Sequence, residues 1–346
     1  MINVTLFCRP ESYKTASMDV YADNLFEKLR KLADFRIKSF RPEGSHFPLI
    51  GKYLTLWLDY PAVAVAEQGD INHILDHSIS HLIGNLEPEK TIITCHDLIG
   101  LEIPESTPFW KRKIFWGNII KNMLKARKII VGSRHTKDDI LKYISYKSED
   151  IVVIYAGINT GFTRIGENII QQKFKFSKPA ILHVGNDNFY KNVECLIKAM
   201  ALLDNKAMLV KVGPISRKQF KLMKSFKIDF IQFMDLPEAE LAEVYNAADI
   251  LVYPSWHEGF GFPVLEAMAC GCPVICSNVS SLPEVAQDAA IMVAPSDVPG
   301  IAKSIAKVLG SRELRQELSE KGFRQVKKFS WEKTAQETAD LYKKIA

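Results

Sequence analysis

The chain has 346 residues, 47% of them hydrophobic and 25% charged, and a net charge of +5. That length fits two domains of ordinary size, and the balance excludes disordered, collagen-like and coiled-coil chains. The charge is too mild for a nucleic-acid binder unless clustered, no apolar run reaches the ~18 residues that cross a bilayer, and the scattered cysteines make no disulfide framework.

Residues Met1–Phe7 carry neither a basic region nor a long apolar one. They are read as a first strand rather than a secretory signal, and a cytoplasmic chain is expected. Further strands are predicted at 90–95, 127–132 and 150–156, then at 180–185, 207–212, 249–254, 272–277 and 290–294. Runs such as 180–185 are apolar without alternation, the pattern of strands buried on both faces of a parallel sheet. Their alternation with helical stretches predicts an α/β protein with two doubly wound sheets. The expected boundaries are a first domain over 1–160, a linker over 161–177 rich in Gly, Asn, Gln and Lys, a second domain over 178–329, and a terminal helix over 330–346 capped by Ser330.

His73, His77 and His81 recur at i, i+4 and i+8, so a helix would stack them as metal ligands. No matching cluster of carboxylates or cysteines accompanies them, so they are expected to line a substrate cleft rather than hold zinc. Cys270, Cys272 and Cys276 fall on or beside a predicted buried strand and are expected to act as small hydrophobes. No Asp-x-Asp pair occurs in the chain, so no metal clamp for a diphosphate is expected.

Residues 106–137 hold nine Lys or Arg and no Asp or Glu, more than the whole net charge of the chain. Lys121, Lys125 and Lys128 are read on one side of a helix, opposite Trp116, Ile119, Ile120, Met123 and Leu124. The first expectation is an amphipathic helix packed on the first domain; the second adds residues 109–128 as a surface for anionic lipid. Without a stacking context for the aromatics, nucleic acid is not expected.

The stretch 253–271 carries the chemistry. Gly259 and Gly261 are expected to let the backbone turn after a strand, Pro263 suits the start of a helix and Gly271 its end. That makes a helix N-terminus suited to an anion, with Glu258 on the loop before it and Glu266 in its first turn. Both carboxylates are then expected beside one crevice at the carboxyl end of a parallel sheet.

Glu258-Gly-Phe-Gly-Phe-Pro-Val-Leu-Glu266 resembles the E-x7-E signature of the family 4 retaining glycosyltransferases. Residues 235–249, 267–277, Leu282-Pro-Glu284 and Phe329-Ser-Trp-Glu332 are similar to that family's flanking segments, so the resemblance covers most of the chain. It implies the GT-B fold, two facing Rossmann-like domains with a C-terminal helix crossing back to the first. It further implies Glu258 on the donor sugar, the backbone at Gly259, Phe260, Gly261 and Phe262 close to sugar and phosphates, and Glu266 on the ribose. Gly185, Asn186, Lys191, Gly213 and Met234 complete the implied donor site, with Lys191 on the diphosphate. Asn186 stands near where the family has an arginine, and Ser17 and Met18 where it often has glycine. His96 is implied near the donor sugar as a catalytic residue, with Asp97 and His77 on the acceptor side.

The implied activity is metal-independent retaining transfer of a hexose, mannose or glucose, from a GDP- or UDP-sugar to a saccharide or lipid-linked saccharide. A polysaccharide-building enzyme on the inner face of a membrane fits that reading. The rivals are a nucleotide-sugar epimerase of the same fold and a catalytically silent subunit that binds a partner glycosyltransferase or glycan.

Overall fold

The structure, a computed structural model, describes residues 1–10, 16–42, 59–103, 112–166, 170 and 173–346. It divides into two compact units, one formed by residues 1–157 and 331–346, the other by residues 158–330.

The first unit is built on β1 (Ile2–Phe7), β2 (Phe35–Phe40), β3 (Ile71–Ile74), β4 (Thr91–Cys95), β5 (Lys128–Val131) and β6 (Ile151–Val153). They form one parallel sheet in the order β2-β1-β3-β4-β5-β6. Strands such as β4, Thr-Ile-Ile-Thr-Cys, are buried along their whole length, which accounts for their apolar, β-branched composition. Helix α1 (Ala16–Leu29) follows β1, and α2 (Gly117–Met123) precedes β5. The apolar face of α2 enters the core through Ile119 and Met123, with Trp116 just before it.

The sequence reading missed β2 and β3. β2 is an edge strand, Phe-Arg-Ile-Lys-Ser-Phe, whose polar residues break the apolar run. β3, Ile-Asn-His-Ile, buries two polar side chains in the sheet. That strand also separates the three histidines: His73 lies in β3, whereas His77 opens a 3-10 stretch over His77–Asn85. No single helix carries them. Lys128 likewise begins β5 and pairs with Asp150, so it does not continue the basic face of Lys121 and Lys125. Residues 104–111, and with them Phe109 and Trp110, lie outside the described residues.

Helix α3 (Trp331–Ile345) closes the first unit by packing against α1. It buries Trp331, Thr334, Ala335, Thr338, Ala339, Leu341 and Tyr342, the three-and-four spacing of one helical face. Tyr342 Oη lies 2.6 Å from His73 Nδ1, and Thr94 Oγ1 lies 2.8 Å from His73 Nε2. Both ring nitrogens are thereby satisfied within the unit. Burial, together with nearby His96, lowers the His73 pKa to about 3 and keeps the ring neutral.

The second unit carries β7 (Ala180–Val184), β8 (Met208–Val212), β9 (Phe230–Phe233), β10 (Ile250–Tyr253), β11 (Val274–Ser277) and β12 (Ala290–Val293). The order β12-β11-β10-β7-β8-β9 is again wholly parallel. The short edge strand β9, Phe-Ile-Gln-Phe, escaped the sequence reading because its middle residues face solvent. Leu196, Ile197 and Met200 on a helix over Val193–Ala201 join Ile181, Leu209, Ile250 and Ile275 in the core of this unit.

The stretch expected as a linker is bound to the second unit. Ile165 N donates to Asn246 Oδ1 (2.7 Å), Asn246 Nδ2 to the Thr163 carbonyl (2.9 Å), and Phe162 packs edge-on to Tyr245. Turn-forming composition in these residues reflects irregular backbone laid against helix Glu238–Ala247, with polar side chains completing its hydrogen bonds.

Candidate functional site

In the second sheet the chain runs outward from β7 through β8 to β9, then returns to β10 on the other side of β7. Loops leaving β7 and β10 therefore diverge and open a crevice at the carboxyl end of the sheet, the place where doubly wound folds bind ligands. Gly185 ends β7 with φ +139°, and a 3-10 turn over Phe189–Lys191 follows. Asn192, in the left-handed region at φ 55°, reaches across with Nδ2 to the carbonyls of Pro254 (2.9 Å) and Pro295 (2.7 Å). Trp256 N donates to the Tyr190 carbonyl at 2.8 Å. These bonds hold the two loops together.

They bring Lys191 and Glu258 into a bidentate ion pair, with Nζ 2.7 and 2.9 Å from the two carboxylate oxygens. Lys191 Nζ also donates to Tyr253 Oη at 2.6 Å, and the two charged side chains are only 11% and 10% exposed. Burial alone would lower the Lys191 pKa; the facing Glu258 carboxylate and Tyr253 hydroxyl outweigh it and hold the ammonium well above the usual lysine value. Tyr253, at the end of β10, was not singled out in the sequence. Its position as the first residue of the signature stretch was the signal.

Glu258 is fixed through its backbone. Its amide donates to Ser280 Oγ (2.9 Å), and its carbonyl lies 2.7 Å from Ser280 Oγ and 2.9 Å from Ser281 Oγ. Ser281 Oγ is also 2.7 Å from the Phe260 carbonyl. The Phe260 ring is buried between Phe262 and Phe329, so what this residue offers a ligand is backbone.

Gly261, at φ 117°, caps a helix over Phe262–Ala269 with Pro263 at its start. An added Cβ there would lie 2.8 Å from Leu282 Cδ2, so both conformation and space require glycine. Gly259 needs no such conformation, and the turn rests on Gly261 alone. Glu266 lies one turn into the helix rather than in its first turn, because the helix begins only at Phe262. Tyr245 Oη donates to Glu266 Oε2 at 2.6 Å. Burial raises the Glu266 pKa to about 7, with Tyr245 opposing and the Glu238 charge adding to the rise.

The remaining expected donor residues line the same end of the sheet. Gly213 ends β8 with φ 104°, and a Cβ on it would sit 2.2 Å from the Gly185 carbonyl oxygen. Gln232 Nε2 donates to the Gly213 carbonyl (3.0 Å) and lies 3.4 Å from Met234 Sδ, with Met234 exposed just beyond β9. Asn186 is exposed, its Oδ1 accepting from Asn188 N at 3.2 Å.

In the first unit the chain reverses between β1 and β3. His96, just past β4, is paired through Nε2 with the Leu75 carbonyl (2.9 Å) and meets the edge of the Tyr21 ring. Burial lowers its pKa, with the neighbouring Asp76 charge opposing. The Asp97 carboxylate turns to Ile99 N (3.1 Å) rather than to His96, so it does not orient the imidazole. His77 is buried and stacks on Trp116 with centroids 5.4 Å apart. Asp76, missed in the sequence, is 1% exposed, accepts from Ser78 N (2.7 Å) and pairs with Arg9 at 3.3 Å. Arg9 also lies 2.7 Å from Met18 Sδ, at the start of α1, where Ser17 is exposed.

Two family models match the chain: Glycosyltransferase Family 4 over residues 4–162 and Glycosyl transferases group 1 over residues 166–325. The O-antigen chain mannosyltransferase B of Escherichia coli is 28% identical over 270 residues, which span 74% of this chain and 70% of that protein. The serotype-specific mannosyltransferase WbdA of the same organism is 32% identical over 267 residues, 72% of this chain but only 32% of the relative. The chain thus spans about a third of the length of WbdA. Anabaena HepE, solved in complex with UDP and glucose, superposes with a TM-score of 0.80 at 13% identity, over 99% of this chain and 100% of that one. Two wholly parallel Rossmann-like sheets, the E-x7-E pair on the β10 loop and helix, and these matches agree: the chain belongs to the family 4, group 1 glycosyltransferases of GT-B fold.

Proposed function

We propose that the chain transfers a hexose, mannose before glucose, from a nucleotide diphosphate sugar to a hydroxyl of a saccharide or lipid-linked saccharide, with retention and without a metal. The observation that carries this reading is the Lys191–Glu258–Tyr253 cluster at the switch point of the second sheet. Mannose is favoured because both relatives named above are mannosyltransferases. The complex of HepE with UDP and glucose supports a nucleotide-sugar donor.

Lys191 and Glu258 neutralise each other in the ion pair. An incoming donor offers each a better-placed partner: the diphosphate takes the ammonium, and sugar hydroxyls donate to the carboxylate, both as charge-assisted bonds. Glu266, one turn along the helix from Gly261, accepts from the ribose hydroxyls. As the glycosidic bond breaks, negative charge grows on the departing diphosphate. Lys191 and the positive end of the Phe262–Ala269 helix, preset before the reaction, stabilise it. That fixed charge serves where other transferases use a divalent ion, and the sequence has no Asp-x-Asp pair to bind one. No protein nucleophile is invoked. His96 works beside the donor sugar, with Nε2 occupied by the Leu75 carbonyl and Nδ1 left for a substrate hydroxyl.

For the acceptor we infer a membrane-borne saccharide, approached through the basic segment of the first unit. Ile114, Phe115 and Leu124 are 64%, 49% and 45% exposed there, beside exposed Lys121 and Lys125.

The donor site is tested by calorimetric titration with GDP, UDP, ADP and dTDP, each with and without magnesium. Binding of one of them, independent of magnesium and weakened at least tenfold in Glu266→Ala, is the expected result; a magnesium requirement, or no binding at all, contradicts the reading.

A further inference from the structure

Lys211 stands in the middle of the second sheet with no solvent exposure, in a strand whose other members, Met208, Leu209, Val210 and Val212, are apolar. Burying an ammonium is costly unless something holds it. Among the described residues it makes no ion pair. Its Nζ donates to two backbone carbonyls, Gly185 (2.5 Å) and Val212 (2.8 Å). Both carbonyls lie at the carboxyl ends of their strands; that of Val212 also accepts from Gly185 N (3.0 Å), whereas the Gly185 carbonyl, beside the Lys191 turn, would without the ammonium turn its partial negative charge toward an arriving anion. Gly213 keeps the turn tight: its absent Cβ would fall 3.2 Å from Lys211 Nζ as well as against the Gly185 oxygen.

His183 is the register partner of Lys211 on β7, is fully buried, and makes no hydrogen bond through either ring nitrogen among the described residues. Its ring lies against Tyr253 (centroids 5.7 Å apart), whose hydroxyl receives Lys191. The carboxyl end of the sheet thus carries two ammonium groups and one carboxylate, and Glu258 pairs with Lys191. Among the described residues Lys211 has no ion-pair partner, and the carboxylate that acts on it, Asp187, stands on the exposed loop.

We propose that Lys211 is a positioning residue of the phosphate half of this site. It neutralises the Gly185 and Val212 carbonyls and supplies a second positive charge behind Lys191, so that the site prefers a nucleoside diphosphate to a nucleoside. This inference rests on the donor-site reading above. Burial, and then the Lys191 charge, lower the Lys211 pKa to about 8, against the pull of Asp187 on the exposed loop. An anion bound close by would raise it again.

The test is the affinity of GDP and UDP against that of guanosine and uridine, in wild type, Lys211→Met and Lys211→Arg, with melting temperatures alongside. The methionine variant is expected to lose roughly tenfold or more in diphosphate affinity with nucleoside affinity unchanged, as for a hydrogen bond to a charged group, and arginine to restore most of it. A methionine variant with native melting temperature and undiminished GDP and UDP binding overturns the inference alone. Equal losses for nucleoside and diphosphate do the same, because they signal a merely structural lysine. Wild type that binds neither diphosphate overturns the donor-site reading as well.

Should the methionine variant not fold, the wild-type ratio of diphosphate to nucleoside affinity decides. It is expected to fall as pH rises from 7 to about 9, beyond the ~6 of a phosphate's second ionisation, and a flat ratio contradicts the proposal. Glu266 cancels from that ratio because both ligands carry the ribose. Among the other groups facing the site, Lys191 and Tyr253 keep their protons and buried His183 stays neutral across this range.

Discussion

Glu266 combines two demands in one side chain. As a half-buried carboxyl its pKa is raised to about 7, and in the ribose-binding role proposed above it accepts most strongly when ionised. Its folded pKa lies above the unfolded value, so its contribution to stability is fully present at pH below about 4.5 and is lost as pH rises through about 7. Replacement by glutamine keeps the shape and still accepts from Tyr245, but removes the charge. Glu266→Gln is therefore expected to melt above wild type at pH 8 and to match it at pH 4.5, while binding nucleotide more weakly at pH 8. A melting difference of the opposite sign at pH 8 would show that the carboxylate is stabilised in the fold rather than by its ligand. The glutamates themselves were legible in the sequence because Glu258 to Glu266 resembles the family's E-x7-E signature. Their partners were not. Tyr245, Ser280 and Ser281 come from 21 to 23 residues away in sequence, and nothing local in Val244-Tyr245-Asn246 marks a hydroxyl aimed at Glu266.

At the scale of elements, central strands declare themselves and edge strands do not. β4, β7 and β10 read as apolar runs because both of their faces are covered. β2 and β9 border one neighbour only and carry solvent-facing polar residues, so their composition resembles loop. β3 hid for another reason: a buried histidine whose partners, Tyr342 and Thr94, are supplied from 269 and 21 residues away. The recurrence of histidine every four residues then suggested a helix that β3 interrupts. The amphipathic segment before β5 shows the same division. Ile119 and Met123 go to the core as their spacing implies, whereas Ile114, Phe115 and Leu124 remain outside beside basic residues. If that surface meets a membrane, the protein should sediment with vesicles containing anionic phospholipid, less so with neutral ones, and Phe115→Glu should abolish sedimentation without lowering the melting temperature. Equal sedimentation of wild type and Phe115→Glu would remove this segment from the account.

For the whole molecule, the alternation of strands and helices fixed the class early, and two parallel six-stranded sheets follow from it. The boundary between units was less legible, because irregular backbone over 159–166 looks like a linker in sequence yet is hydrogen-bonded to the second unit. The chain's return to the first unit through α3 is secured by the face that buries Tyr342 against His73. On these two frames the chemistry reduces to one claim: an ion pair poised at a switch point exchanges its partners for a diphosphate and a sugar. The most direct measurement is to supply GDP-mannose and UDP-glucose with a saccharide acceptor and determine the anomeric configuration of the new linkage by NMR, with and without EDTA. The account predicts an α-linked product from an α-linked donor, unaffected by EDTA and slowed roughly 100-fold or more in Glu258→Gln, the scale of losing one preorganised charged contact. A β-linked product, an epimerised sugar nucleotide with no acceptor consumed, or transfer undiminished in Glu258→Gln would contradict it.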